Sequence, residues 1–328
     1  MTASAMSECE SFIGGVSVVI PAYNYARFLK EAISSVLAQP YSPLEVIVVD
    51  DGSTDNTPAL LSNIIDPRLR VIRQANAGLS AARNTGIREA RHPFIAFLDA
   101  DDRWAEDFLP KVMARFRELP DDYVIVTASS QRMTADGRLV QKPRSLILPP
   151  ATLTVRDFIL VNRMFPSAVV ARRSTLMECG GFDTTLRSSE DRDMWIRMTT
   201  NHRAAYIQDT LAHIRRHGEN MSKHATRMRE NTLRTIGKAW SAGVVSRLNL
   251  PFWFTVRAYF EYQSAWTHFS AGRRFAALRL LAFSFFICPI FLRPDRVGEK
   301  HFFRLRALRH FLLSAAKSPA LIIVSTQT

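Results

Sequence analysis

The chain has 328 residues, of which 47% are hydrophobic and 22% are charged. This length and composition suit one large domain with an appendage, or two domains, and they exclude a disordered chain. The net charge of +13 is uneven, because residues 1–200 carry 23 Lys and Arg against 24 Asp and Glu, whereas residues 201–328 carry 20 against 6. A neutral body with a basic C-terminal region predicts contact with an anionic membrane surface or an acidic partner.

The cysteines, Cys9, Cys179 and Cys288, are widely separated and have no metal-ligand spacing. They indicate a reducing compartment without a disulfide framework. Residues 1–11 lack the basic and apolar regions of a secretory signal, and we expect residues 1–13 to form a disordered tail.

Strand and helix patterns alternate along the N-terminal part of the chain. Strands are predicted at residues 16–20, 44–49, 69–72 and 94–98. Helices are predicted between them, the first with Leu29, Ile33, Val36 and Leu37 on one face, the second after residues 50–55 and the third from Gly78. This alternation predicts a parallel α/β sheet, in which the loops at the carboxyl ends of the strands form a ligand-binding crevice.

Further along, the elements are less regular. We predict a strand at residues 123–127, loops with a hairpin-like excursion at 135–137 within residues 131–150, and a helix at 152–161. A helix at 192–198 follows.

Three carboxylates, Asp99, Asp101 and Asp102, stand where the strand at 94–98 is expected to end. Like charges this close repel, so a divalent cation with oxygen ligands is the favoured explanation, and a solvated acidic turn is the alternative. A second acidic stretch, residues 50–55, ends its own strand at the same edge of the predicted sheet. Neither a G-x-G-x-x-G fingerprint nor a Walker lysine loop is present, so nicotinamide and ATPase functions have no support.

Four segments in order resemble the family 2 glycosyltransferases, namely residues 16–24, 45–57, 76–90 and 94–104. That family consists of inverting enzymes with the nucleotide-sugar-binding GT-A fold. The resemblance, which extends over about residues 14–220, implies an α/β GT-A catalytic domain at 14–225, with a mixed sheet flanked by helices. A basic helical C-terminal region at 226–328 would follow it.

The resemblance also implies a donor site. Asp51 would accept a hydrogen bond from the nucleotide base, and Pro21, Ala22 and Tyr23 would flank that base, with a buried core position as the alternative for Tyr23. Arg83 would pair with the diphosphate or order the acidic loop, and a surface position on its helix is the alternative.

For the metal, Asp99-Ala100-Asp101 corresponds to the family's DXD signature. Asp101 would bind Mg²⁺ or Mn²⁺, Asp99 would hold the ribose or a metal-bound water, and Asp102 would support them. Residues 215–222 resemble the family's closing loop, in which His217 would be a third metal ligand, a phosphate contact or a structural histidine. We expect Trp104 to be a packing residue.

On the acceptor side, the resemblance assigns Gly181, Phe182, Asp183 and Glu190, next to the strand at 166–170. Asp191 would be the general base that deprotonates the acceptor hydroxyl. Because acidic residues also favour helix starts, simple capping is the alternative for Glu190 and Asp191.

The C-terminal region permits three interpretations. Its helices pack on the catalytic domain, or they form a basic amphipathic anchor on an anionic membrane, or they bind nucleic acid. We favour peripheral contact with the inner face of the cell membrane and no nucleic-acid binding. The apolar window at residues 280–292 is too short for a membrane span, which needs about 20 apolar residues.

The sequence thus predicts a metal-dependent inverting glycosyltransferase that moves a sugar from a nucleotide-diphosphate sugar to a glycan or lipid-linked acceptor in cell-surface polysaccharide or lipopolysaccharide assembly. A sugar nucleotidyltransferase and a non-catalytic nucleotide-sugar-binding subunit are the alternatives. The sugar, the nucleotide and the acceptor are not specified by the motifs.

Overall fold

A mixed β-sheet flanked by helices forms the body of the protein, as the sequence predicts. The computed structural model describes residues 14–141, 149–162, 164–218, 225–289 and 303–313. The strands are β1 (Val16–Ala22), β2 (Leu44–Asp50), β3 (Leu69–Arg73), β4 (Phe94–Phe97), β5 (Arg103–Trp104), β6 (Tyr123–Met133), β7 (Thr152–Leu153), β8 (Val169–Arg172) and β9 (Arg203–Arg215). The helices are α1 (Ala26–Leu37), α2 (Thr57–Ser62), α3 (Leu79–Glu89), α4 (Phe108–Glu118), α5 (Val155–Leu160), α6 (Arg173–Glu178), α7 (Glu190–Thr199), α8 (Ala225–Ser241), α9 (Leu250–Ser270), α10 (Arg274–Ile287) and α11 (Phe303–Leu313).

The strand order is β3-β2-β1-β4-β8-β6-β9-β5, with β7 beside β9. The first four strands in this order are parallel, which confirms the predicted strand–helix alternation. The sheet becomes mixed at β8, which runs antiparallel to both β4 and β6. As a consequence, the carboxyl ends of β1, β2 and β4 lie at one edge of the sheet.

Alternating residues of the central strands belong to two separate hydrophobic cores, one on each face of the sheet. Val18 of β1 packs with α1 and α4 on one face, whereas Val19 packs with α3 and α7 on the other. This follows from the two-residue period of a strand, and both faces are apolar because helices cover both.

The C-terminal helices pack on this body. Ile236 of α8 and Trp253 and Val256 of α9 belong to the second core, together with residues of the sheet. A third core, which includes Tyr259, Leu281 and Phe311, joins α9, α10 and α11. The interpretation of helices packed on the catalytic domain is therefore confirmed for the described residues. Among those residues, every helix is too short or too polar to cross a membrane.

Several predicted boundaries are wrong. The helix predicted at 152–161 begins only at Val155, because Thr154 forms a capping box with Asp157 and β7 occupies the two residues before it. Of the strand predicted at 166–170, Pro166–Ala168 is a 3₁₀ turn. The strand at 123–127 is confirmed but continues to Met133, and β9 has no counterpart in the prediction.

The hairpin-like excursion is confirmed by an antiparallel bridge between Met133 and Leu139. Other predictions lie outside the described residues. They are the disordered tail at 1–13 with Cys9, part of the loops within 131–150, residues 219–222 of the closing loop and the end of the 280–292 window.

Candidate active site

The predicted donor residues follow strands that end at the same edge of the sheet. Asp51 follows β2, and its backbone N–H donates to the carbonyl of Ala22 at the end of β1, over 2.8 Å. Asp99 follows β4, which pairs with β1 in parallel. Because these parallel strands are neighbours, the two acidic stretches share one edge, as the sequence predicts.

The carboxylate of Asp51 is buried and organises the loop before α3. It accepts hydrogen bonds from Nε2 of Gln74 (2.7 Å) and from the backbone N–H groups of Ala77 (3.0 Å) and Gly78 (2.8 Å). A carboxylate has about four acceptor positions, so one further donor can be accommodated. The structural task of Asp51 in this loop is not evident from the sequence.

The turn after β1 separates buried from exposed residues. Pro21 and Ala22 are buried in the strand, whereas Tyr23 is 44% exposed. The alternative of a core position for Tyr23 is therefore wrong. Asn24, at φ 58°, uses its side-chain oxygen to accept from the backbone N–H groups of Thr54 (2.8 Å) and Asp55 (3.2 Å). It joins the two loops, a role that the sequence analysis missed.

Arg83 lies at the centre of the site and is fully buried. One of its terminal nitrogens donates to Asp99 (2.7 Å) and the other to Glu190 (2.8 Å), and its guanidinium lies 5.3 Å from the ring centroid of Phe182. Burial alone would lower the pKa of Arg83, but the two carboxylates outweigh it and hold that pKa above its usual range. The alternative of a surface arginine is wrong.

Asp191 follows Glu190 at the start of α7 and keeps part of its surface exposed. Its carboxylate accepts from the backbone N–H of Arg192 (2.7 Å) and from Nδ2 of Asn162 (2.7 Å). Burial raises the pKa of Asp191, and the charge of Asp99 adds to the rise. Because Arg83 bonds both to Asp99 and to Glu190, the residue before Asp191, it joins the start of α7 to the acidic turn. Asn162 is a second residue that the sequence analysis missed.

The two residues before α7 are held by α8. Ser189 has a left-handed backbone at φ 59°, which is rare for a residue other than glycine. Its hydroxyl lies 2.8 Å from Oγ1 of Thr232, and Nδ2 of Asn231 donates to the hydroxyl of Ser188 over 3.0 Å. The helical region thus helps to set where α7 begins.

The acidic turn after β4 contains two buried carboxylates besides Asp99. Asp102 accepts from the hydroxyl of Ser167 and from the backbone N–H of Arg215 (2.8 Å), so it is held from inside the protein. Burial raises the pKa of both Asp101 and Asp102, and the neighbouring carboxylates raise them further. The interpretation of a solvated acidic turn is wrong for these two residues, because both are buried.

His217, which follows β9, reaches the acidic turn. Its Nε2 lies 2.8 Å from Oδ2 of Asp101, and its ring lies 5.2 Å from that of Phe28 and 6.0 Å from that of Tyr25. The preceding Arg215 donates from Nε to the carbonyl of Asp101 (2.7 Å), which fixes the strand end against the turn.

These donors fit a divalent cation. Asp99 and Asp101 offer carboxylate oxygens and His217 offers an imidazole nitrogen, and burial together with the charge of Asp99 raises the pKa of Asp101. In the described ranges, no three His, Cys, Asp or Glu side chains are grouped closely enough to hold a metal by themselves.

The predicted acceptor-side residues have mainly structural contacts. Gly181, at φ 74°, packs closely on Asn84, so that a Cβ added at Gly181 would lie 2.6 Å from Oδ1 of Asn84. Phe182 is buried. Burial would raise the pKa of Asp183, but hydrogen bonds from Lys238 and Thr185 lower it to about 2. The contacts of Asp183 are thus with α8 and its own loop.

Trp104 is buried and stacks on Phe108 with 4.1 Å between ring centroids, which confirms its packing role.

Two further residues position parts of the site. Asn84 exchanges two hydrogen bonds with the backbone of Phe182, at 2.7 and 2.8 Å, and Ser167 links Asp102 to the backbone of Asp99. The sequence analysis missed both residues, although Asn84 lies within a segment that resembles the family.

Comparison with known proteins identifies the class. The sequence model of Glycosyl transferase family 2 matches residues 17–180, which is half of the chain. An uncharacterised glycosyltransferase of Rickettsia felis is 32% identical over 203 residues, which cover 61% of this chain and 33% of that protein. The succinoglycan biosynthesis protein ExoO of Rhizobium meliloti is 36% identical over 192 residues, 54% of this chain and 53% of that one. The chain belongs to glycosyltransferase family 2.

The fold agrees. The mannosyltransferase PcManGT of Pyrobaculum calidifontis, solved in complex with GDP-Man and Mn²⁺, superposes with a TM-score of 0.63 at 20% identity, covering 97% of this chain and 85% of that one. The fold is therefore GT-A, with additional C-terminal helices. The chain spans about a third of the length of several curated relatives that it matches.

Replacement of Arg83 by methionine removes the cation between the buried Glu190 and the partly buried Asp99. We expect Arg83→Met to lower the free energy of unfolding by about 3–5 kcal/mol, as is usual when one partner of a buried ion pair is removed. The deficit should shrink at acidic pH, because burial raises the pKa of Glu190 and its protonation removes the unbalanced charge. Urea unfolding across a pH series measures both effects.

Arg88→Met is the matched control, because Arg88 lies exposed on the same helix. We expect its stability to stay within about 0.5 kcal/mol of the parent. Equal stability of the two variants would contradict the central role of the Arg83 ion pairs.

Proposed function

We propose that this protein is a metal-dependent inverting glycosyltransferase that moves a sugar from a nucleotide-diphosphate sugar to a hydroxyl group of a glycan or lipid-linked acceptor. The observation that carries the proposal is the Asp99–Arg83–Glu190 bridge, which holds the acidic turn beside the start of α7, where Asp191 lies. One site then contains both the groups for a charged donor and a separate carboxylate of raised pKa.

In this proposal the donor lies along the edge formed by β1, β2 and β4. Asp51 uses its remaining acceptor position for the nucleotide base, and the exposed Tyr23 packs beside that base, with Pro21 and Ala22 at the end of β1 next to it. Arg83 acts by positioning Asp99 and α7, since both of its terminal nitrogens are already bonded to carboxylates.

Asp101, Asp99 and His217 would hold Mg²⁺ or Mn²⁺ between the acidic turn and the donor diphosphate. A divalent cation bound there would neutralise charge on the departing diphosphate, so the site needs no second carboxylic acid to protonate the leaving group. The similarity to PcManGT, solved with GDP-Man and Mn²⁺, supports this assignment.

Asp191 would be the general base. As the acceptor oxygen bonds to the anomeric carbon, the bond from that carbon to the diphosphate breaks, the leaving group takes the electron pair, and Asp191 takes the hydroxyl proton. A single displacement inverts the anomeric carbon. A raised pKa suits this task because it makes Asp191 a stronger base than an ordinary aspartate.

The proposed acceptor is a glycan or lipid-linked precursor of a cell-surface polymer. The name of the relative ExoO refers to succinoglycan biosynthesis, which supports a role in cell-surface polysaccharide or lipopolysaccharide assembly. The basic C-terminal region supports a peripheral position on the inner face of the cell membrane, close to a lipid-linked acceptor. Family membership argues against a sugar nucleotidyltransferase, and donor hydrolysis by the purified protein would exclude a non-catalytic binding subunit.

Substitution of Asp191 by asparagine tests the general base. Because the carboxamide keeps the shape of the side chain but cannot take a proton, we expect kcat for transfer to fall about 10²–10⁴-fold, with donor affinity within a factor of about three. Asp209→Asn, at an exposed aspartate paired with Lys111, should transfer like the parent. Near-normal turnover of Asp191→Asn would remove Asp191 from this role.

The pH profile tests how Asp191 is tuned. The hydrogen bond from Asn162 stabilises the ionised carboxylate and lowers its pKa, so Asn162→Ala should raise that pKa further. Since the base must be unprotonated, the acidic limb of kcat should move to higher pH, by about one unit at most for one hydrogen bond to a charged group. Asn63→Ala is the exposed control, and an unshifted limb in Asn162→Ala would separate Asn162 from the catalytic ionisation.

Replacement of His217 by alanine tests the metal site. If His217 is a ligand, its loss should weaken Mn²⁺ binding in the presence of a nucleoside diphosphate at least tenfold, as measured by electron paramagnetic resonance of free Mn²⁺. His202→Ala, in the loop before β9, is the control. Unchanged Mn²⁺ affinity with weaker nucleotide binding would assign His217 to the phosphate instead.

A further inference from the structure

The α10 helix has an outward face made of aromatic side chains. Phe275, Arg279, Phe283 and Phe286 are spaced by four, four and three residues, so they form one stripe along the helix. The opposite side, which includes Ala277, Leu281 and Ser284, is buried in the third core. We call this stripe the phenylalanine face.

The phenylalanine face exposes large apolar side chains to solvent. Phe275 is 90% exposed, Phe286 is 82% exposed and Phe283 is 41% exposed, and the rings of the last two are stacked with 6.4 Å between their centroids. Isolated exposed apolar residues are common, but three exposed phenylalanines on one stripe are a grouping of the kind that marks an interaction surface.

The patch continues onto α9. The guanidinium of Arg257 lies 5.8 Å from the ring centroid of Phe283, and the half-exposed Phe254 is one turn before Arg257 on the same helix. Apolar rings and guanidinium groups therefore alternate across two neighbouring helices.

The charge around the patch has one sign. The described parts of α9, α10 and α11 contain six arginines and a single acidic residue, Glu261. Glu261 is fully buried and already accepts hydrogen bonds from Arg229 and Arg257. In the described part of these three helices, no carboxylate is thus exposed to offset the arginines.

We propose that the phenylalanine face is a docking surface for an anionic lipid bilayer, with the rings in the acyl boundary and Arg257 and Arg279 among the headgroups. An interfacial contact of this kind combines buried apolar area with attraction between arginines and anionic lipids. A second copy of the chain fits less well, because a symmetric contact would bring arginines against arginines without a carboxylate between them. This inference names the surface for the membrane contact and in that respect rests on the proposed function.

Flotation of the full chain with lipid vesicles tests the proposal. We expect binding to vesicles of phosphatidylcholine with phosphatidylglycerol, much weaker binding to phosphatidylcholine alone, and loss of binding at high salt. The double variant Phe275→Ser/Phe286→Ser should bind at least tenfold more weakly, and Arg279→Gln about fivefold more weakly with a shallower salt dependence. Ile65→Ser is the matched control, since Ile65 is 96% exposed but follows α2, on the sheet domain.

Thermal unfolding without vesicles checks that these exposed substitutions leave the fold intact. Asp191→Asn should bind vesicles like the parent, so a failure of vesicle binding and a failure of the catalytic proposal are distinguishable. Equal vesicle binding by the double variant and the parent would overturn the inference. Absence of binding between the parent and anionic vesicles would also overturn it. Self-association of the parent that the double variant abolishes, without vesicle binding, would assign the face to a second copy and also overturn it.

Discussion

The buried guanidinium of Arg83 is the interaction on which the geometry of the site depends. It joins α3, the acidic turn after β4 and the start of α7, three segments that would otherwise place uncompensated charges in the interior. A buried ion is costly unless it is paired and hydrogen-bonded, and here one cation satisfies two carboxylates at once. Because a guanidinium is planar and presents its donors in a fixed fork, it also sets the distance between Asp99 and Glu190.

With Glu190 used for this bridge, the carboxylates of the site divide into different tasks. Asp102 and Glu190 are bonded inside the protein, Asp51 organises the loop before α3, and Asp191 stays partly exposed with a raised pKa. The environment of each group, and not its chemical type, separates these tasks. Burial and neighbouring negative charges raise the pKa of a carboxyl group, whereas hydrogen bonds to its ionised form lower that pKa.

The helical region is part of the same construction. Asn231 and Thr232 of α8 hold the serines before α7, Lys238 pairs with Asp183, and α9 shares a core with the sheet. The outer helices α10 and α11 pack on α9 around a separate core, so the phenylalanine face stands on the side of α10 that points away from that core.

By itself, the sequence determined what depends on local pattern. Apolar period and turn residues located the parallel strands and most of the helices, and the order of the motifs indicated the family. Only the tertiary structure decided which side chains meet. Arg83 and Glu190 are 107 residues apart, and Asp101 and His217 are 116 apart. No local period connects such pairs, because their contact depends on the sheet order and on β9, a long strand with polar interruptions that the pattern did not reveal. Packing likewise decided that Phe275 and Phe286 point outward. The sequence of α10 is apolar on almost every side, and α9 and α11 cover only the side opposite these two residues.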